Sequence, residues 1–221
     1  MDDATWRILL DDLAAEALDL TRVLAGLSDD QWSLVTPAAG WNIHDQVVHL
    51  AFFDEIAALG FTHPEAFADV GAELLAAGED YVDRASHDRR EMPPAEVLSW
   101  FRMSRSALGR AYTEVGPSAR TPWFGPPMSA ASSATARLME TWAHGQDVYD
   151  TLDLMHPITD RARHVCHLGV ITRDTQRRHL SDTALQVTPA AAAEWMSIAQ
   201  VFAGAASAGR PPHHVAEDPP R

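Results

Sequence analysis

A chain of 221 residues is long enough to bury a full core and fits one domain with at most a small appendage; it holds no run of about 18 uncharged apolar residues to cross a bilayer. A formal net charge of -14 denies it the basic face that nucleic acid or an anionic membrane surface requires. The lone Cys166 rules out an internal disulfide and suits a reducing compartment, and the opening MDDATWRILL carries two acids where a signal peptide carries positive charge, so the cytoplasm is the expected address.

Helical patterning dominates and strand-like alternation is nearly absent, so the expected class is all-α. The first helix is predicted from about Thr5 to Gly26, where Leu9, Leu10, Leu13, Ala17, Leu20 and Val23 form one apolar stripe at three- and four-residue steps. Ser28 caps a short turn answered by Gln31 three positions on, and the stretch from Pro37 to Gly40 breaks the chain. A second helix, from about Ile43 to Leu59, carries Val47, Val48, His49, Leu50, Phe52, Phe53 and Ile56 and is apolar enough to sit centrally. Pro64 opens a third, weakened at Gly78, with Asp83 to Glu91 as its charged, solvated end and His87 as a surface residue. The fourth follows Pro93 and Pro94, from about Ala95 to Val115, and presents Leu98, Phe101, Met103 and Leu108 as a buried face.

Gly116 to Met128 holds four prolines and two glycines and reads as a long connection of a kind that often carries function. A fifth helix, from about Ala130 to Leu152, bears Leu138, Met139, Trp142, His144 and Val148, and a sixth begins near Thr159 and Asp160 and passes Val165, Leu168 and Ile171. Ala184 to Thr188 reads as a short strand, and Ala190 to Phe202 as a helix opened by Pro189. The expected organisation is a bundle over 1–155, a shortened C-terminal region over 156–205 packing on it, and a disordered tail over 206–221.

Chemistry enters at ETWAH, where Glu140 and His144 stand four apart and share one helix face. His49 lies within VVHLAFF on another helix that reads as buried, so His49, Glu140 and His144 are the candidate metal ligands, one from one helix and two from another. Burying the Glu140 carboxylate without a cation costs several kcal/mol, and either a metal or Arg137, three residues back, answers that need. Asp45, one turn before His49, reads either as an orienting partner for that imidazole or as a helix N-terminal charge. His164 and His167, flanking Cys166, are the competing ligand group, and Cys166 itself reads as a small buried hydrophobe or as a thiolate nucleophile. Trp41 and Trp142, nearest in sequence to the ligands, are read as cofactor-binding walls or as core.

The segments GWNIHDQVVHLAFFDE (Gly40 to Glu55) and METWAHGQDVYD (Met139 to Asp150) resemble the DinB-like superfamily, within it the mycothiol-dependent maleylpyruvate isomerase branch. The resemblance covers roughly residues 5 to 155 and implies an up-and-down four-helix bundle holding one divalent metal, usually zinc, through residues that map onto His49, Glu140 and His144. It also implies mycothiol as cosubstrate in some members, and an arginine serving the substrate carboxylate, for which Arg177 or Arg178 is nearest here. The C-terminal part resembles an uncharacterised metal-binding subgroup, whose members carry a longer, partly stranded segment where Asp174 here runs straight into Thr175, leaving extra helices and a short remnant of a second lobe.

The expected function is that of a zinc enzyme using a low-molecular-weight thiol to transfer to, or isomerise, a small electrophile. A thiol-independent metal lyase or cyclase and a non-enzymatic metal-binding protein are the alternatives. The expected partners are a small-molecule substrate and a thiol, with a homodimer left open and neither nucleic acid nor membrane among them.

Overall fold

Capping chemistry sets most of the helix boundaries. The structure, a computed structural model, describes residues 1–166 apart from 77, 79 and 80. Asp2 accepts the Thr5 N–H at 2.8 Å and starts α1 (Asp3–Leu24). After it, Ser28 and Gln31 close a capping box on the single turn of α2 (Asp29–Trp32), with the Ser28 N–H donating to Gln31 Oε1 at 3.0 Å. A second capping box, Asn42 with Asp45, opens α3 (Ile43–Thr62). Pro64 stands first in α4 (Pro64–Ala76), α5 (Tyr81–His87) is short, and Pro93 and Pro94 open α6 (Pro94–Val115). Ser129 then accepts the Ser132 N–H at 3.0 Å to begin α7 (Ala130–Thr151).

The four long helices form the bundle. α1 packs on α6 and α7, and α3 packs on the same two, so α1 and α3 occupy opposite corners. α3 is buried nearly all round, from Ile43 through Gly60, because its neighbours cover every face. Its Val47, Val48, Leu50 and Ala51 meet Leu20 and Leu24 of α1, Phe101 of α6 and Val148 of α7 in one core cluster. Each fully buried Leu or Phe of this kind contributes about 1.5–3 kcal/mol. A second cluster gathers Phe52, Phe53 and Ile56 against Phe67 and Ala85, with Trp123 and Phe124 half-buried at its edge.

The long connection after α6 is tied down by a two-residue hairpin rung, β1 (Arg120–Thr121) against β2 (Met128–Ser129), antiparallel with Thr121 opposite Met128. It rests directly on α3 at Gly60, where a Cβ would lie 2.5 Å from Thr121 Oγ1. Thr121 is buried and β-branched and cannot swing aside. Alanine at Gly60 would gain up to about 1 kcal/mol of helix propensity but suffer an overpacking cost of about 1–3 kcal/mol. The Gly60→Ala protein is therefore expected to be destabilised by about 1 kcal/mol net in urea unfolding, and to regain that loss when Thr121, whose Oγ1 is the clashing atom, is also changed to Ala.

Several expectations are corrected. Met103 is 61% exposed while Leu98, Phe101 and Leu108 are buried, because α6 turns only one stripe to the core and Met103 falls off it. The stretch from Asp83 to Glu91 is not a merely solvated helix end: Ala85 and Ser86 are buried, His87 is half-buried, Asp83 accepts the Trp41 indole N–H at 2.9 Å, and Arg90 reaches the buried Asp45. α1 starts two residues earlier than expected and α3 ends three residues later.

The chain divides into a unit over Met1–Pro157 and a second unit beginning at Ile158. In the second, residues 162–166 are helical and Ala162, Val165 and Cys166 are buried, with burial pushing the Cys166 thiol up and so against a nucleophilic role. The rest of the sixth helix, the strand at 184–188, the helix at 190–202, the tail at 206–221, and His167, Arg177 and Arg178 lie outside the described residues. Among the described residues no helix is long and apolar enough to cross a membrane.

Candidate metal centre

His49, Glu140 and His144 meet inside the bundle, between the middle of α3 and the middle of α7. His49 Nε2 lies 3.3 Å and His144 Nε2 3.1 Å from the same oxygen, Glu140 Oε2. One ligand atom from each of the three residues falls within 4.8 Å of the others. A tetrahedral ion with ligands at about 2.0–2.1 Å places neighbouring ligand atoms roughly 3.3 Å apart, and the two imidazole–carboxylate separations are of that size. The side chains of His49 and His144 are 10% and 17% exposed and that of Glu140 is 30% exposed, which leaves the carboxylate as the open side of the cluster.

Charge around Glu140 bears on what it can bind. Arg137, the alternative partner read from the sequence, does not reach it: its Nε donates to Asp54 Oδ1 at 2.9 Å, and Arg105 Nε donates to Asp54 Oδ2 at 2.6 Å. Arg137 leaves the α7 face three residues before Glu140 and turns to the fully buried Asp54, whose demand for a cation is greater. Burial raises the Glu140 pKa, but the imidazoles of His144 and then His49, each within hydrogen-bonding distance, outweigh it and hold the carboxyl well below its usual range. Burial, with the neighbouring His144 charge, pulls His49 down to about 4 against the opposing pull of Glu140.

Both values lie below those of the unfolded chain, so the unfolded state binds more protons as pH falls and native stability is lost with them. Metal-free protein is thus expected to lose on the order of 2–3 kcal/mol between about pH 6.5 and 4 from His49 alone. Thermal unfolding across that range, compared with the His49→Gln variant, checks this: the variant's curve should be flatter.

Asp45 does not orient His49. Its carboxylate accepts from Arg90 Nε at 2.9 Å, Arg90 Nη2 at 2.5 Å and the Asn42 N–H at 3.0 Å, because an N-terminal helix acid is drawn to cap its own helix. His49 Nδ1 is buried without a hydrogen-bond partner among the described residues. His144 is supported differently: its Nδ1 is hydrogen-bonded to Gln46 Oε1, and Gln46 Nε2 donates to Thr36 Oγ1 at 2.9 Å and to Asp147 Oδ2 at 3.1 Å. Gln46 and Asp147 escaped the sequence reading, although each stands three residues from a predicted ligand, Gln46 before His49 and Asp147 after His144, a spacing that puts them on the ligand faces.

Trp41 stands at the cluster, stacked on His144 at 5.7 Å between ring centroids with planes 12° apart, and 5.3 Å from His49. Trp142 turns elsewhere, stacking at 5.3 Å on His156, whose Nε2 lies 2.9 Å from the buried Glu16. One turn along α3 from His49, Phe53 sits 4.6 Å from its ring and meets Trp123 and Phe124 of the long connection at 6.4 and 6.2 Å. Those two aromatics were not singled out in the sequence, where only the length and proline content of their loop marked it.

A helical bundle whose interior joins imidazole, carboxylate and imidazole from two helices is the class that this fold and site define. The model of the family described as mycothiol maleylpyruvate isomerase N-terminal domain matches residues 13–149, and the chain belongs to that family. An uncharacterised protein of Mycobacterium tuberculosis, in strains H37Rv and CDC 1551, is 36% identical over 248 residues, covering 90% of this chain and 96% of the relative. The fold is similar to that of the mycothiol-dependent maleylpyruvate isomerase in its crystal structure, with a TM-score of 0.55 and 13% identity. A histidine-to-alanine variant of that enzyme gives 0.56 and 16%, and each comparison covers 73% of this chain but 66% of the isomerase chain.

Proposed function

We propose that the protein is an enzyme that holds one divalent metal, of the zinc type, on His49, Glu140 and His144, and uses a low-molecular-weight thiol such as mycothiol against a small electrophilic substrate. The observation that carries the reading is the convergence of two imidazole Nε2 atoms on one Glu140 oxygen, at 3.1 and 3.3 Å, while the neighbouring arginines are engaged by Asp54. Membership of the mycothiol-linked family supports the thiol. The donor set of nitrogen and carboxylate oxygen suits zinc, and three protein ligands leave a position open.

Bound there, the metal would supply a site at which a thiol loses its proton near neutral pH. Trp41 walls the two imidazoles and holds their planes in place, and Phe53 with Trp123 and Phe124 offers an apolar side to a reactant. The thiolate would add to a double bond conjugated with a carbonyl, pushing the electron pair onto the carbonyl oxygen. Rotation about the resulting single bond and return of the pair expel the thiolate and leave the isomerised alkene. In a transfer reaction the same thiolate displaces a leaving group, which departs with the bond's electron pair. Arg177 and Arg178 are retained in this proposal as the candidates for a substrate carboxylate, and the cytoplasm as its address.

The test is turnover of an electrophilic alkene conjugated to a carboxylate, assayed with zinc and thiol together and with each alone. Turnover requiring both supports the reading. Equal rates without the thiol would replace it with Lewis-acid chemistry, and binding without turnover under any combination would reduce it to a metal-binding protein.

A further inference from the structure

Hydrogen-bond direction around Gln46 decides which nitrogen of His144 carries a proton. Which end of an amide side chain is oxygen and which is nitrogen follows from the partners it meets, and here two partners choose independently. Thr36 directs its hydroxyl proton to the Trp41 carbonyl at 2.9 Å, so its oxygen is left to accept from Gln46. Asp147 presents a carboxylate oxygen, which also accepts. Gln46 must therefore turn its NH2 toward both, and its carbonyl oxygen toward His144. A carbonyl oxygen can only accept, so His144 Nδ1 carries the hydrogen. In the neutral ring Nε2 then has a bare lone pair, and that lone pair lies 3.1 Å from Glu140 Oε2, another acceptor.

Two acceptors face to face repel unless a cation lies between them or the ring takes a second proton. Gln46 is fully buried, Thr36 is 6% exposed and Asp147 9%, which keeps water from substituting for any member of the chain. The arrangement is one-sided, since among the described residues nothing comparable holds His49 Nδ1. We infer that Asp147 is a positioning residue: acting through Gln46, it fixes His144 as the Nδ1–H tautomer and so presents Nε2 as a ready-made ligand. The value of this preset to a metal rests on the reading under Proposed function; the tautomer itself does not.

Long-range proton–nitrogen correlation NMR of the 15N-labelled full chain, metal-free and at about pH 9, well above the ordinary imidazole range so that the ring holds a single proton, reads the tautomer directly. The wild type is expected to show His144 protonated on Nδ1 and unprotonated on Nε2. Gln46→Leu should release the ring to a form protonated on Nε2, where it can donate to Glu140. The double variant Gln46→Glu with Asp147→Asn exchanges acceptor and donor and should restore the Nδ1–H form. Zinc affinity, measured by chelator competition, should fall 10–100-fold in Gln46→Leu and return to within a few-fold of wild type in the exchange variant. A wild-type ring protonated on Nε2, or a Gln46→Leu ring with the wild-type tautomer, overturns the inference. Should Gln46→Leu fail to fold, the wild-type spectrum decides alone. A wild type with the Nδ1–H ring that takes up no zinc would sustain this inference and sink the metal reading.

Discussion

Replacing His144 with alanine is expected to leave a folded protein almost free of metal, where the wild type, purified without a histidine tag, carries about one divalent ion per chain. The size of the effect follows from the ligand count. His49 and Glu140 would remain as a two-ligand site, with the Glu140 carboxylate 30% exposed and open to water. Removing an outer-shell partner of a metal ligand costs about 10–100-fold in affinity, and removing the ligand itself costs more. His63→Ala is the control, because that exposed imidazole bonds only to the hydroxyl of the adjacent Thr62 among the described contacts and should change nothing.

Two further readouts follow the same ion. At a free concentration 100 times its Kd a ligand that binds only the native state adds about 2.7 kcal/mol, so zinc should raise the Tm of wild type and not of His144→Ala. Trp41, stacked on His144, should report zinc by a change in fluorescence that the variant lacks. A wild type that stays metal-free after incubation with zinc would return these residues to the core and remove the catalytic reading with them.

The largest stability effect is expected at Asp54, whose ion pairs are with Arg105 and Arg137 rather than with a candidate ligand. Its carboxylate is fully buried and shared by two guanidinium groups, Arg105 at 2.6 Å and Arg137 at 2.9 Å, with Arg105 Nη2 also donating to Thr141 at 2.7 Å. Burial pulls the Arg105 pKa down while the Asp54 charge opposes that pull, so the carboxylate is what keeps the cation tolerable there. Asp54→Ala strands two buried cations instead of one. Breaking a single buried pair costs about 3–5 kcal/mol, and a domain of this size has only about 5–15 kcal/mol to lose. The variant is expected to be largely unfolded by circular dichroism at room temperature.

Replacing all three charges at once, with Asp54→Leu, Arg105→Met and Arg137→Met, should recover most of that loss, because a well-packed apolar trio needs no desolvation of charge. Recovery would show that the network is a stranded-charge problem rather than an intrinsic source of stability. Failure of the triple variant to fold would instead assign the network a packing role that apolar side chains cannot fill.

What the sequence determined by itself was whatever depends on spacing along one helix. The apolar stripe of α1, the apolar run of α3 that marked it as central, the capping box at Ser28 and Gln31, and the shared face of Glu140 and His144 are consequences of local spacing along one helix, legible in one dimension. Two short motifs also carried the family resemblance that the match over residues 13–149 bears out.

Tertiary structure decided everything that required choosing between partners on different helices. Arg137 stands one turn from Glu140 in sequence, yet it goes to Asp54, 83 residues away, because a fully buried carboxylate competes more strongly for a cation than a partly exposed one. Asp45 stands one turn from His49 and goes to Arg90, from a segment that had read as solvated. Trp142 lies two residues from Glu140 and turns to His156, while Trp41, 99 residues from Glu140 in sequence, closes over both imidazoles. Helical periodicity says which residues share a face; which partner across the core wins a buried charge or ring is set by relative desolvation, and that exists only once the helices have packed.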